Sequence, residues 1–303
     1  MKPVKALFAV ALAVTCAAQV RREPDRPLRQ PVRGVHGAIA AGSEYATEAG
    51  MRIYYKGGNA VDAGVSSMFA ASVTELSHYG FGGEAAVLIR TKDGKVHSIA
   101  GIGTMPMLAT ADFFRNRPLQ PFEVMEREPG GLKGIIPGAG IMPALVPGMV
   151  EAGLVALREY GTLSFQDVIA AAIDLADGFS LDDMRANAIA YSAPFFSVWP
   201  TSKAHFMPNG RPPRSGEIFR QPNMARTLRS MAEVEKKALA GGATRLAAID
   251  AAGELKRIDA TVSLEEELSD VVANFRIDDE DLQDLKTVRD AVDYVFGRVS
   301  SGS

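Results

Sequence analysis

Hydrophobic and polar positions change their rhythm several times along the chain. The first residues, Lys2 and Lys5 followed by an unbroken apolar run from Ala6 to Thr15 and small Ala17 and Ala18, have the order of an export signal over 1–19. Ten apolar residues are too few to span a bilayer as a helix. An Arg- and Pro-rich stretch over 20–33 reads as a flexible leader. Val35 to Ala41 has the short apolar run of a buried strand. Ser43 is placed to cap a helix that runs to Lys56 and stops at Gly57. Asn59 caps the next helix, with Asp62 in its first turn, and AVDAGVSSMFAASVT is apolar on nearly every face, as a buried helix is.

After the turn glycines Gly80, Gly82 and Gly83, Ala85–Arg90 and Lys95–Ala100 alternate as strands around Lys92-Asp93-Gly94, which predicts a hairpin. Residues 101–145 lack periodicity. Helical spacing then returns: from Pro147 to Gly161, from Ser164 to Gly178, from Ser180 with Asp182 and Asp183 in its first turn, and from Asn223 through Leu239, with a Pro/Gly loop over 200–218. In the tail, Leu264, Leu268, Val271, Val272 and Phe275 fall on one side of a helix that Ser263 can cap. A second helix from Thr287 to Val299 carries Val288, Ala291, Val292, Val295 and Phe296.

Composition narrows the classes. The 303 residues are 47% hydrophobic and 23% charged, with a net charge of −3. That composition is globular, and no basic excess points to nucleic acid. One Cys, Cys16, excludes an intramolecular disulfide or a Cys-rich zinc site, and the four His are scattered. No residue set asks for a cofactor or metal, and no phosphate-loop spacing occurs. Charge divides the chain: residues 254–303 carry 13 acids and 6 bases, a net of −7, which leaves +4 on residues 1–253. Two units of different character are expected, a body over 34–253 and an acidic tail over 254–303.

Several blocks in the body carry a resemblance. Gly57-Gly58-Asn59-Ala60-Val61-Asp62-Ala63, the stretch Glu75 to Gly83, Val146-Pro147-Gly148-Met149-Val150, Tyr160-Gly161-Thr162-Leu163, Leu175-Ala176-Asp177-Gly178-Phe179 and Gln221-Pro222-Asn223-Met224-Ala225-Arg226-Thr227-Leu228 resemble, in order, blocks of the γ-glutamyltransferases. The resemblance implies an N-terminal-nucleophile hydrolase: an α+β, αββα-type sandwich of which this chain holds the large-subunit portion, mostly helical with a β-hairpin and followed by a short helical tail. It also implies a precursor that cuts itself, and a small subunit whose new N-terminal Thr attacks a γ-glutamyl amide and passes the acyl group to water or an amino acid.

Two departures accompany it. No Thr-His pair occurs in the sequence, so no catalytic nucleophile is assigned, and the residues after 252 are too few for a small subunit. The family's large subunit grips the substrate carboxylate with an Arg from a G-R-E-x-x-P motif, and the matching stretch here is Gly101-Ile102-Gly103-Thr104-Met105-Pro106. Ile102 cannot form that ion pair. The expectation is an exported protein, periplasmic or secreted, free of the membrane after signal cleavage and inactive alone. The alternative is a non-catalytic partner subunit completed by a separate small-subunit chain, which would then bind a γ-glutamyl small molecule.

Asn59 and Asp62 read as helix-start structure ahead of catalysis, His78 as a loop residue that could line a pocket, and Arg220 and Arg226 as surface residues. The tail resembles the C-terminal half of an acyl carrier protein, a third possibility, in which Ser263 would carry phosphopantetheine. Val262 stands where a carrier has Asp, which makes Ser263 a helix N-cap first.

Overall fold

The computed structural model describes residues 33–76, 78–116 and 143–254. The export signal, the leader before residue 33, and the tail with Ser263 lie outside the described residues. The chain divides into two units at Ala38/Ile39, and the described part of the first, 33–38, is exposed coil. The strand expected over Val35–Ala41 is not formed: no ladder involves these residues, and Val35 is 94% exposed. An apolar run without a neighbouring strand to bond its amides has no reason to be a strand.

In the second unit α1 (Glu44–Tyr55) and α2 (Ala60–Thr74) form a tight helical pair. Ser43 Oγ accepts from Ala46 N at 3.2 Å to start α1. Gly57, at φ +84°, ends it: Gly57 N donates to Tyr54 O and Gly58 N to Ile53 O, a Schellman closure that a left-handed glycine permits. Asn59 Oδ1 then accepts from Val61 N and Asp62 N while Asp62 Oδ2 accepts from Asn59 N, the reciprocal box that opens α2. Small residues let the two helices close up. Ala46, Ala49 and Gly50 face Ala63, Ser66, Ser67 and Ala70, and the hydroxyls of Ser66 and Ser67 donate to Ala49 O and Ala46 O.

The centre of the body is α2, whose Phe69, Ala70 and Val73 have no exposure. It packs on α1, on α4 (Met149–Tyr160) and on α5 (Phe165–Asp177). Phe69 meets Phe165 edge-on at 5.4 Å and lies over Gly153 of α4. The second helical layer adds α6 (Asp183–Phe196), α7 (Pro200–Phe206) and α8 (Pro222–Ala240), the last along α5 through Leu228, Met231 and Ala232. Residues 245–254 are helical and bury Ala248, Ile249 and Ala252.

The β part is small. β1 (Ala85–Arg90) and β2 (Val96–Gly101) pair antiparallel, Ala85 with Gly101 through Arg90 with Val96. Gly94, at φ +85°, closes the turn. β3 (Phe179–Ser180) and β4 (Ile218–Phe219) form a second two-stranded ladder.

Several boundaries differ from the sequence reading. The helix expected from Pro147 starts at Met149, because Val146 N is engaged by Thr104 O and residues 146–148 lie against β2. Ser180 does not cap α6. It belongs to β3, and Asp182 caps instead, accepting from Arg185 N at 2.7 Å. Two short helices interrupt segments read as irregular: α3 (Ala111–Asn116), and α7, which starts on Pro200.

Candidate functional site

The residues brought together at the end of the hairpin define the candidate site. Three stretches of backbone converge there. Gly83 O accepts from Gly148 N at 3.1 Å and from Met149 N at 3.0 Å, which ties the glycine turn to the start of α4. Val146 N donates to Thr104 O at 3.0 Å, and Gly103 N donates to Glu84 Oε1 at 2.9 Å. Glycine is required by proximity: a β-carbon at Gly103 would overlap the Val146 carbonyl, one at Gly148 the Gly101 carbonyl, and one at Gly101 the Ala85 carbonyl. The glycines of two separate sequence blocks thus serve one junction.

Side chains at this corner are apolar. Ile102 is 57% exposed, and Met105, Met107 and Leu108 are also exposed. Residues 101–110 contain no Lys, Arg or His. The carboxylate of Glu84 is held at the corner by its bond from Gly103 N. Among residues 101–110 no side chain offers a positive charge to pair with an anion. His78 is exposed at the start of the glycine turn. Its neighbour Tyr79 has a buried hydroxyl with no hydrogen-bond partner among the described residues, and burial pushes the phenol pKa up to about 12.

The other candidate residues fall away from the corner. Asp62 is fully buried, and its carboxylate accepts four bonds: Asn59 N at 2.8 Å, Thr162 Oγ1 at 2.6 Å, Thr162 N at 2.8 Å and Leu163 N at 3.2 Å. Asn59 Nδ2 donates to Tyr160 O at 2.7 Å. These two residues therefore fasten the start of α2 to the loop between α4 and α5, with both carboxylate oxygens committed. Arg226 donates to Asn223 Oδ1 on its own helix, and Arg220 is exposed.

Three charged residues with structural duties were not singled out by the sequence. Glu235 is fully buried on α8 and accepts from Phe165 N at 2.6 Å and Gln166 N at 2.7 Å, so a carboxylate of one helix caps the N-terminus of another. Its signal was available: Leu228, Met231, Ala232 and Glu235 lie on one helical stripe, where an acid needs a partner. Arg185, 4% exposed, donates from Nε to Thr74 O and from Nη2 to Glu75 Oε1, and pairs with Asp182, holding the segment that enters the glycine turn. Arg245 donates to Leu157 O and Leu163 O at the end of α4.

Among the described residues no group of His, Cys, Asp and Glu is arranged to hold a metal ion, and no helix is long and apolar enough to cross a membrane.

The fold and sequence of the body are similar to those of known proteins of the gamma-glutamyltranspeptidase and acylase kind. A gamma-glutamyltranspeptidase family model matches residues 46–248. The glutathione hydrolase proenzyme of Escherichia coli (strain K12) is 30% identical over 236 residues, 75% of this chain and 39% of the relative. The acylase ACY 1 proenzyme of Pseudomonas sp. (strain V22) is 31% identical over 215 residues, 71% of this chain and 38% of the relative. The crystal structure of Helicobacter pylori gamma-glutamyltranspeptidase superposes with a TM-score of 0.60 at 25% identity, over 69% of this chain and 58% of that one. The chain belongs to the gamma-glutamyltranspeptidase family. It spans about two fifths of the length of the relatives it matches. The family match ends at residue 248, before the tail.

Proposed function

We propose that residues 39–254 are the scaffold and acyl-binding portion of a γ-glutamyltransferase-type amide hydrolase or transferase. The Thr nucleophile comes from outside these 303 residues, supplied as a small-subunit portion. In this reading the export signal sends the chain to the periplasm or out of the cell, where the enzyme is assembled, and no cofactor takes part.

The observation that carries the reading is the hairpin. Its inner face, with Val87, Ile89 and Ile99, packs on the helical body, whereas Leu88 and Val96 on the outer face are 74% and 65% exposed. A two-stranded ribbon with one apolar face open is an incomplete layer, and an αββα sandwich closes such a layer with a second sheet. The corner at Ile102 lies at the end of this face. Its chemistry favours a neutral acyl group over the anionic α-carboxylate of a γ-glutamyl donor, and one relative is named an acylase. Losing a desolvated Arg–carboxylate pair costs about 2–5 kcal/mol of binding.

The test is hydrolysis of chromogenic anilides. The purified chain alone is expected to release no anilide and to remain one polypeptide. With a Thr-initiated small portion added, it is expected to cleave a neutral acyl anilide faster than the γ-glutamyl one. Turnover or self-cleavage by the 303-residue chain alone overturns the reading.

A further inference from the structure

The outer face of the hairpin offers more than an incomplete layer. Residues Ala86, Leu88, Val96, Ser98, Ala100 and Ile102 share it, all exposed, and at its turn end stand exposed Arg90, Lys92 and Lys95, the last paired with Asp93. In projection it is about 20 Å long and about 10 Å wide. That is far below the ~800 Å² per partner of a stable interface between separate proteins, so a second copy held by this face alone is disfavoured. A tethered segment escapes that limit, because a short linker holds it at millimolar effective concentration.

The chain carries a segment of matching dimensions and chemistry. The body's last described residues run beside α4: Gly253 lies against Leu154, on the helix that underlies β1 and β2. Residues 255–263, outside the described residues, can reach about 30 Å, longer than the face. Residues 264–275 then follow, for which the sequence pattern predicts a helix about 18 Å long. Its apolar side is Leu264, Leu268, Val271, Val272 and Phe275, and its first turns carry Glu265, Glu266, Glu267 and Asp270. The apolar side matches Leu88, Val96 and Ile102, and the acids match a turn end with three cations against one carboxylate.

We infer that residues 264–275 dock as a helix on the outer face of the β1–β2 hairpin of their own chain and occupy it until a small-subunit portion takes their place. The second half of this statement rests on the reading under "Proposed function"; the first half does not. The tail is then a placeholder that keeps an otherwise sticky surface covered, and completion of the site is an exchange of one cover for another.

Proximity crosslinking of the full chain tests this. In a Cys16→Ser background, Leu88→Cys is combined either with Leu268→Cys, on the apolar side of the tail helix, or with Asp270→Cys, on its opposite side. A short thiol crosslinker is expected to join Leu88→Cys to Leu268→Cys within one chain at least tenfold faster than Leu88→Cys to Asp270→Cys. The double variant Leu268→Asp, Phe275→Asp, which leaves the body intact, is expected to raise binding of a hydrophobic dye several-fold. Equal crosslinking rates at 268 and 270, a product that is mainly a two-chain adduct, or unchanged dye binding each overturn the proposal. These readouts need no enzymatic activity. A chain that crosslinks as expected but is not activated by any Thr-bearing portion fails only the functional reading, and one that is activated but does not crosslink fails only this one.

Discussion

The helical body and the hairpin are held by different means. In the body, buried and half-buried charged groups are engaged: Asp62 accepts four bonds, Glu235 caps α5, and buried Arg185 and half-buried Arg245 satisfy carbonyls at helix ends. Each such group is costly to bury and repays that cost only in one arrangement, so the helices have one register. In the hairpin the buried face is apolar, the close contacts are backbone on backbone at glycines, and the other face is open. The body is finished by its own side chains, and the hairpin is shaped to be finished by something else.

The contrast can be broken most severely at Asp62. Asp62→Ala takes the acceptor from four donors, two of them on exposed Thr162, and is expected to cost about 3 kcal/mol, read as a fall in the urea midpoint; a loss under 1 kcal/mol would show that the body does not depend on this knot. Gly103→Ala forces the Val146 carbonyl away from β2 and is expected to cost about 1–3 kcal/mol. Hydrogen exchange should rise in β2 and at the start of α4 and stay unchanged in α1 and α2. If protection fell equally in both regions, the two would not be separable.

Acid sharpens the comparison on the body's far side. His205 packs edge-on against Phe206 and Phe219, and burial lowers its pKa. The folded state therefore favours the neutral ring. Stability from this group is intact above the ordinary His range near 6.5 and is lost as pH falls through that range toward the depressed folded value. His205→Phe should flatten that part of a stability–pH curve while leaving hairpin exchange alone. The smallest effect belongs to the hairpin's outer face: Leu88→Asp with Val96→Asp is expected to change body stability by no more than about 0.5 kcal/mol, while raising dye binding because the apolar side of the tail is released. A large loss of stability would mean that the face is already part of a core.

Local chemistry was readable where it is written in adjacent residues. The stop at Gly57, the box of Asn59 and Asp62, the cap of Ser164 and the Lys92-Asp93-Gly94 turn all depend on neighbours within a few positions, and all stand in the structure. The strand over Val35–Ala41 was misread because a strand depends on a partner that composition cannot supply. Ser180 was displaced from its expected cap by a pairing with Ile218, 38 positions away. At the candidate site, the glycines were visible as punctuation, but the reason for Gly103 and Gly148 is a junction of segments more than 40 residues apart. Ile102 could be noted as a departure from a motif. The hairpin register brings Glu84 opposite Ile102, but that its carboxylate turns to accept from Gly103 N is set by the three-dimensional junction.

The two-residue elbow at Gly57-Gly58 bears on the order in which the molecule forms. Because α1 ends and α2 begins on consecutive caps, the two helices meet through contacts only about 20 residues apart, such as Ser67 with Ala46. Closing so short a loop costs little entropy and takes well under a millisecond. The junction at Gly103 and Val146 must wait for more than forty further residues to be synthesised. The cost of loop closure therefore favours a helical pair that forms ahead of the corner it supports, so that the corner is added to a platform already in place.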